Sequence, residues 1–600
     1  MPHLLELPDE LIGAILNQTD AAADTAHFGQ TCTRLRDLEA GSPVWQQHCL
    51  ATWHSWAPRH KLQVKLAQPV LQTDWRALYR ERRVADRDAL ATFDALLLTQ
   101  LSRGARMNKL ALLDLDAEDL FAGIADKTPE EAEDVLARRW YADAILGLMF
   151  RRRAIEIWAQ LQRGEHVDLE VALAAYDQFV LGRSTNIETV KSLLDRHAAR
   201  VQCKIPGFRH MSTRRKAVHL AQYLRDERVV TMSDPGNYHD LRHNFIGLPL
   251  SAADAEEGGC LPLQSVAIYC AVARRLGMDA APSSFPRHVH AIVTAPADAT
   301  LDGHSRSHNA PRPGHHELEM RMDVFRQSEP VPHSYFEALL AGMGVPHDEH
   351  AAIMGPATTA EMVLRAGRNI FMSVEEGLRG ATRGNQSRNE SDEGNRNPAP
   401  DLAQYAALWS LFMLGDSDPL RAATRRRQVT RQMLEVVQTD YPQDAALFSE
   451  TAPRLLHGLP ELTVAGSLLA RIQTLETQRT KPKLRPTNGQ SVVVHRVGTY
   501  CEHRKYGYQG FITGWDPQCA AAPEWIRTMD VDTLLRGRGQ PFYNIVDTNN
   551  SKRYVAEENI EVLSDRPPRA LMKLAGKYFK RWDDEAKMFV SNVRDKYPED

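Results

Sequence analysis

Residues 497–519 read VGTYCEHRKYGYQGFITGWDPQC, and nowhere else in the 600-residue chain are glycine and aromatic side chains packed so closely together. Around this stretch apolar residues recur with a period of two. Ser491–Val497, Gly510–Gly514 and Pro541–Asp547 therefore read as strands, and the glycines and aromatics between them predict a small barrel. Working upstream, Thr480 to Gly489 is a basic, proline-containing linker and Asp401 to Gln478 has helical periodicity. Arg379 to Pro400 is polar and low in complexity, the composition of a disordered insertion.

Within the C-terminal region, His495 with Val497, Arg504-Lys505-Tyr506-Gly507-Tyr508, Gly510, Gly514-Trp515-Asp516, Trp525, Gln540-Pro541-Phe542-Tyr543 and Tyr554-Val555-Glu557-Asn559 occur in order. This pattern resembles the YccV/HspQ-like family, whose members are labelled hemimethylated-DNA-binding domains. The resemblance covers about 487–600 and implies an SH3-like β-barrel with aromatic-rich loops. Charge argues against reading DNA from it. Residues 490–563 carry eight basic and nine acidic side chains, whereas a phosphate-neutralising surface is basic. Arg504, Lys505, Tyr506, Tyr508, Trp515, Phe542 and Tyr543 are the candidate contacts for DNA or for a protein substrate. Aromatic rings stack on bases, but they more often build a core or a peptide surface.

The middle of the chain changes character near Pro235-Gly236. An apolar helix is expected from Leu263 to Leu276 and strands at Val289–Thr294 and Leu318–Val324. The segments YHDLRHNFI (238–246), GGCLPLQSVAIYCAVARRLGM (258–278), FPRHVHAIV (285–293), MRMDVF (320–325) and MVLRAGRNI (362–370) follow one another. They look like the SirB1-type, transglutaminase-like family, an α+β, papain-like fold, over about 155–375. That resemblance implies three candidate catalytic residues: Cys260 as nucleophile before an apolar helix, His288 as base and Asp323 as its partner. His290 shares a strand face with His288, so spacing alone does not choose between them. Against an active triad, domains of this family commonly lack the nucleophile, and a buried cysteine serves as a small apolar residue. His304, His308, His315 and His316 lie in a Gly/Pro-rich loop without rigid ligand spacing and read as solvated. No metal and no cofactor is expected.

The N-terminal fifty residues read as three short helices. Asp9 is a candidate N-cap for the first, which holds Leu11, Ile12, Ile15 and Leu16. A second carries Phe28, Cys32 and Leu35. Ser42-Pro43 opens a third with Val44, Trp45, His48, Cys49 and Trp53. Leu7-Pro8, the Ile15-Leu16 pair, Cys32, Leu35 and the late Trp45 resemble an F-box. An F-box implies binding to the adaptor Skp1, with Leu7, Pro8, Leu11, Ile15, Leu16, Leu35 and Trp45 as the expected contacts. A unit of fifty residues is too small to bury all of these.

The expected organisation is multidomain: an all-α F-box (1–50) and helical connector (51–153), the transglutaminase-like domain (154–375), an insertion (376–400), a helical segment (401–478), a linker (479–486) and the YccV/HspQ-like domain with its tail (487–600). This order resembles the F-box only protein 21 group. It implies a non-catalytic substrate adaptor of a Skp1–cullin–F-box ubiquitin ligase, with Skp1, the cullin core and an unknown protein substrate as partners. A DNA-binding protein and a thiol hydrolase or transferase are the alternatives. Composition agrees with a globular chain outside membranes: 43% hydrophobic, 25% charged, net charge −4. Seven cysteines without a CxxC pair argue for a reducing compartment, cytoplasm or nucleus. Glu6, Asp9 and Glu10 do not suit a secretory leader.

Overall fold

The computed structural model describes residues 4–41, 43–230, 235–251, 259–306, 314–382, 397–415, 419–478, 481–485, 493–592 and 595–600. They divide into two units, one of residues 150–441 and 447–469, the other of residues 1–149, 442–446 and 470–600.

The middle unit is built around the helix Pro262–Arg275. Proline occupies its first turn, where no intrahelical N–H is needed. Every residue from Pro262 to Ala273 is buried, as an all-round apolar helix requires. It ends where Gly277 takes φ +76°, while Met278 N–H returns to the Ala273 carbonyl. The chain then enters an antiparallel sheet of β1 (Asp279–Pro282), β2 (Ala291–Thr294), β3 (Glu319–Met322) and β4 (Pro330–Val331), in that spatial order. The helices Leu169–Val180, Ile187–Lys204, Thr359–Thr382 and Pro400–Leu414 belong to the same α+β unit. The helix Thr359–Thr382 continues past Arg379, and Pro400 already starts the next helix. Of the expected 376–400 insertion, residues 383–396 lie outside the described residues.

In the other unit the leading residues form four helices, not three: Asp9–Leu16, Ala22–Gly29, Thr33–Ala40 and Val44–Thr52. Phe28, Cys32 and Leu35 do not share a helix. Cys32 is extended (φ −157°, ψ 170°) and precedes the third helix. The break lets the second and third helices close on each other: a side chain on Gly29 would lie 2.6 Å from Glu39 Oε2. Asp9 is inside its helix rather than capping it, and its carboxylate accepts Arg34 Nε at 3.0 Å. Ser42 lies outside the described residues.

The C-terminal part of this unit is β-rich. Strands β5 (Tyr500–His503), β6 (Gln509–Asp516), β7 (Phe542–Asp547), β8 (Lys552–Ala556) and β9 (Ile560–Val562) form an antiparallel sheet in the order β8-β7-β6-β5-β9. A hairpin of β10 (Phe579–Asp583) and β11 (Met588–Ser591) follows. Among the described residues no ladder joins β8 to β9, the two edges of the expected small barrel. The turn Glu557–Asn559 separates these two edge strands. The expected first strand at Ser491–Val497 is absent over 493–497, and residues 491–492 lie outside the described residues. Val493 and Val497 are buried without pairing, and the Val493 carbonyl accepts Arg485 Nη1 at 2.8 Å. Gly498, at φ +98°, packs against the Phe589 carbonyl so closely that a Cβ there would overlap it. Among the described residues no helix is long and apolar enough to cross a membrane.

Candidate functional site

The register of the middle sheet assembles one polar cluster. Ala291 on β2 faces Met322 on β3. One step further the strands end, and His290 and Asp323 flank that last pair. His288, two residues earlier, returns to the same side. Its Nε2–H donates to Asp323 Oδ1 at 2.9 Å, and His290 Nε2 lies 4.0 Å from Asp323 Oδ2. The two imidazole centroids are 4.8 Å apart.

Surrounding contacts hold the cluster. Ser283 N–H donates to the His290 carbonyl at 2.8 Å, and Ser283 Oγ accepts His290 N–H at 3.1 Å. The His290 ring meets Phe336 edge-on at 4.5 Å. Burial pushes His290 down to about 3, helped by the charge of His288 and opposed by Asp323, so its ring is neutral at physiological pH. Burial of Asp323 acts to raise its carboxyl, but the His288 hydrogen bond, both imidazoles and the Arg326 N–H outweigh it and hold the group below its ordinary value. Arg326 also brings Nη1 to 3.7 Å from Asp323 Oδ2. Ser283 and Arg326 had no motif to announce them; only Arg326's position three residues after Asp323 was a signal.

Cys260 is not brought to this pair. It lies before the N-cap Leu261 and is fully buried. Its Sγ is within hydrogen-bond range of the Val229 carbonyl (3.4 Å) and Ser265 Oγ (3.3 Å). Burial pushes its thiol up to about 12, only partly offset by Ser265, so it is a thiol and not a thiolate. A helix dipole that would favour thiolate is outweighed by desolvation. In the histidine-rich loop His308 lies outside the described residues, and His304 N–H donates to Thr300 Oγ1.

The N-terminal candidates divide by helix face. Leu16, Leu35 and Trp45 are buried and belong to the core. Trp45 Nε1 donates to Glu39 Oε1 at 2.9 Å, and Arg76 pairs with the same oxygen at 2.9 Å. Pro8, at the N-cap, and Leu11 (52% exposed) and Ile15 (43%) lie on the solvent side of the first helix, with Leu7 half-buried beside them. Their i, i+3, i+7 spacing makes one apolar stripe. Leu5, not anticipated from the sequence, is 40% exposed and extends the apolar surface. Arg34 fixes the lead-in by donating to the carbonyls of Leu5 (2.6 Å) and Leu7 (2.8 Å).

The C-terminal candidates also divide. Trp515, Phe542 and Tyr543 are buried, so they are packing residues and not an open reading surface. Trp515 Nε1 donates to Asp600 Oδ2 at 2.8 Å, and Tyr543 Oη donates to Glu557 at 2.7 Å. Arg504, Lys505 and Tyr506 are exposed and Tyr508 is half-buried. His503 packs against both tyrosine rings (4.8 and 5.0 Å), and Arg553 lies over Tyr508 at 5.4 Å. Three of the arginines here pair with carboxylates: Arg536 with Glu557, Arg538 with Asp532 and Arg553 with Asp547.

Comparison with known proteins agrees with this architecture. Residues 188–368 match the family described as transglutaminase-like superfamily. Residues 493–586 match the family described as hemimethylated DNA-binding protein YccV like. Over its full length the chain is 24% identical to F-box only protein 21 of Homo sapiens, of which 92% is covered. The same identity and coverage hold for F-box only protein 21 of Pongo abelii and of Mus musculus. No solved structure matches the chain at a significant level.

Proposed function

We propose that the chain is a substrate-recognition adaptor of a Skp1–cullin–F-box ubiquitin ligase, acting in the cytoplasm or nucleus. The observation that carries this reading is the exposed Pro8, Leu11 and Ile15 stripe, set on a helix whose other face (Ile12, Leu16) is fully buried. An apolar stripe left open on a folded unit is a protein-binding face. Its position within a chain similar end to end to F-box only protein 21 supports Skp1 as the partner. The adaptor performs no bond chemistry. It holds a substrate protein near loaded ubiquitin and so raises its effective concentration. The buried, protonated Cys260, bonded away from His288 and Asp323, supports a non-catalytic middle unit.

Substrate recognition falls to the middle and C-terminal regions. At the C-terminal sheet the exposed Arg504, Lys505 and Tyr506 are the contact residues. Pairing of Arg536, Arg538 and Arg553 with carboxylates removes much of the charge a phosphate backbone would need. A protein contact is therefore favoured over DNA. The test is binding of the purified full chain to Skp1, beside a Leu11→Asp/Ile15→Asp variant. Capture by the unaltered chain and loss in the folded variant is the expected result. No capture by the unaltered chain overturns the adaptor role.

A further inference from the structure

We propose that His288, His290 and Asp323 bind a divalent transition-metal cation of the zinc class. This goes beyond the adaptor role and does not depend on it. Two imidazoles and one carboxylate are a donor set suited to such an ion, and three protein ligands leave a coordination position open. One ligand atom from each of the three residues lies within 4.8 Å of the others.

The spacing also fits. Bonds of about 2.1 Å in a tetrahedron put neighbouring ligand atoms roughly 3.4 Å apart. The two distances found, 2.9 Å from His288 Nε2 and 4.0 Å from His290 Nε2 to the two oxygens of Asp323, bracket that edge. Each carboxylate oxygen already faces one imidazole. An ion entering here replaces the His288–Asp323 hydrogen bond.

A second observation points the same way. His290 is 2% exposed, and its Nδ1 has no hydrogen-bond partner. Its Nε2 lies 4.0 Å from Asp323 Oδ2, beyond hydrogen-bond range. A buried polar group left unpaired is costly and calls for an explanation. Its backbone is meanwhile fastened on both sides by Ser283, and Phe285 and Phe336 hold the ring edge-on. A rigid, buried imidazole whose Nε2 faces a carboxylate oxygen at 4.0 Å without a hydrogen bond to it is poised as a ligand. The site is not sealed, since the side chains of His288 (16%) and Arg326 (59%) reach solvent. Arg326 now supplies the positive charge near Asp323 Oδ2 and competes with the ion. Cys260 has its own partners and is not in the ligand set.

The test titrates the purified full chain with Zn²⁺ and, for spectroscopy, with Co²⁺. One Zn²⁺ per chain is expected, with affinity falling at least about tenfold in Asp323→Asn and in His290→Gln, the scale set by losing even a supporting contact. Arg326→Gln removes the competitor without touching a ligand and should bind Zn²⁺ several-fold more tightly. That variant decides the matter if the ligand variants fail to fold; unchanged or weaker binding in it overturns the proposal. Zn²⁺ binding that survives both ligand variants but is lost in His304→Ala/His316→Ala also overturns it, by assigning the ion to the histidine-rich loop. A thiolate charge-transfer band in the Co²⁺ spectrum overturns it as well, because the proposed site holds no cysteine.

Discussion

Asp177 accepts the backbone N–H of Gly247 at 2.7 Å, and with it that of Ile246 at 3.2 Å, in full burial. The carboxylate joins the helix Leu169–Val180 to the segment leading toward Cys260. Gly247 leaves the room: a Cβ there would lie 2.7 Å from Asp177 Oδ1 and overlap Thr185. Gly247→Ala should destabilise the middle unit by about 1–3 kcal/mol, the usual range for overpacking, as read by chemical denaturation.

The same carboxylate sets a pH dependence. Burial raises Asp177 from 3.8 to about 8, against the two N–H bonds. The folded chain therefore keeps a proton that the unfolded chain has lost, so stability falls as pH rises between these values. The slope is on the order of 1 kcal/mol per pH unit within that window. Asp177→Asn should flatten it. Denaturation curves of both proteins from pH 5 to pH 9 would reveal the difference; parallel curves would mean that Asp177 is ionised in the fold.

Leu11 and Ile15 face out while Leu16 faces in, so substitutions at the neighbouring positions 15 and 16 should have opposite signatures. Leu16→Ala is expected to lose about 2–5 kcal/mol of stability. Leu11→Asp/Ile15→Asp should leave the melting temperature nearly unchanged and abolish Skp1 capture. Equal loss of stability in both variants would make the stripe part of the core.

Glu39 is fully buried with Trp45 Nε1 and Arg76 Nε on the same oxygen. Burial raises its carboxyl and Arg76 pulls it back. Removing one partner of a buried pair leaves the other uncompensated, so Arg76→Ala should cost about 3 kcal/mol. A loss near zero in thermal melts would show that Trp45 alone satisfies the carboxylate.

Cys260 and exposed Cys203 give a direct test of thiol reactivity. With its thiol near 12 and no exposure, Cys260 should resist iodoacetamide at pH 7.5 in the native chain, whereas Cys203 should be alkylated. Mass-spectrometric mapping that finds Cys260 modified first would point to an activated thiolate and revive the hydrolase reading.

Local sequence carried the elements and blurred what depends on three-dimensional burial. Pro262 and the apolar run behind it mark a core helix without ambiguity, and alternation around Gly510 and Phe542 marks strands. His288 and Asp323 were legible as a pair through the resemblance carried by FPRHV and MRMDVF. The company of Cys260 was not legible: position before a helix says nothing of whether Val229 or His288 lies beside its sulfur. Phe28, Cys32 and Leu35 fit helical spacing, yet the chain turns at Cys32 to set Glu39 on Gly29. Trp515, Phe542 and Tyr543 match the motif of a reading surface, but hydrogen bonds from distant residues, such as Asp600 to Trp515, decide that two of their polar edges are used inside.

One unit gathers residues 1–149 with residues 470–600. Within it Leu136 packs on the C-terminal core, and Tyr141 Oη donates to the Lys577 carbonyl at 3.1 Å. During synthesis the ribosome delivers the helical lead first and these late partners last, with more than three hundred residues in between. The middle unit has all its residues by 469 and can close while the chain is still growing. The lead can close its own core around Trp45 and Trp75 early, but the contacts of Leu136 and Tyr141 must wait for residues 470–600.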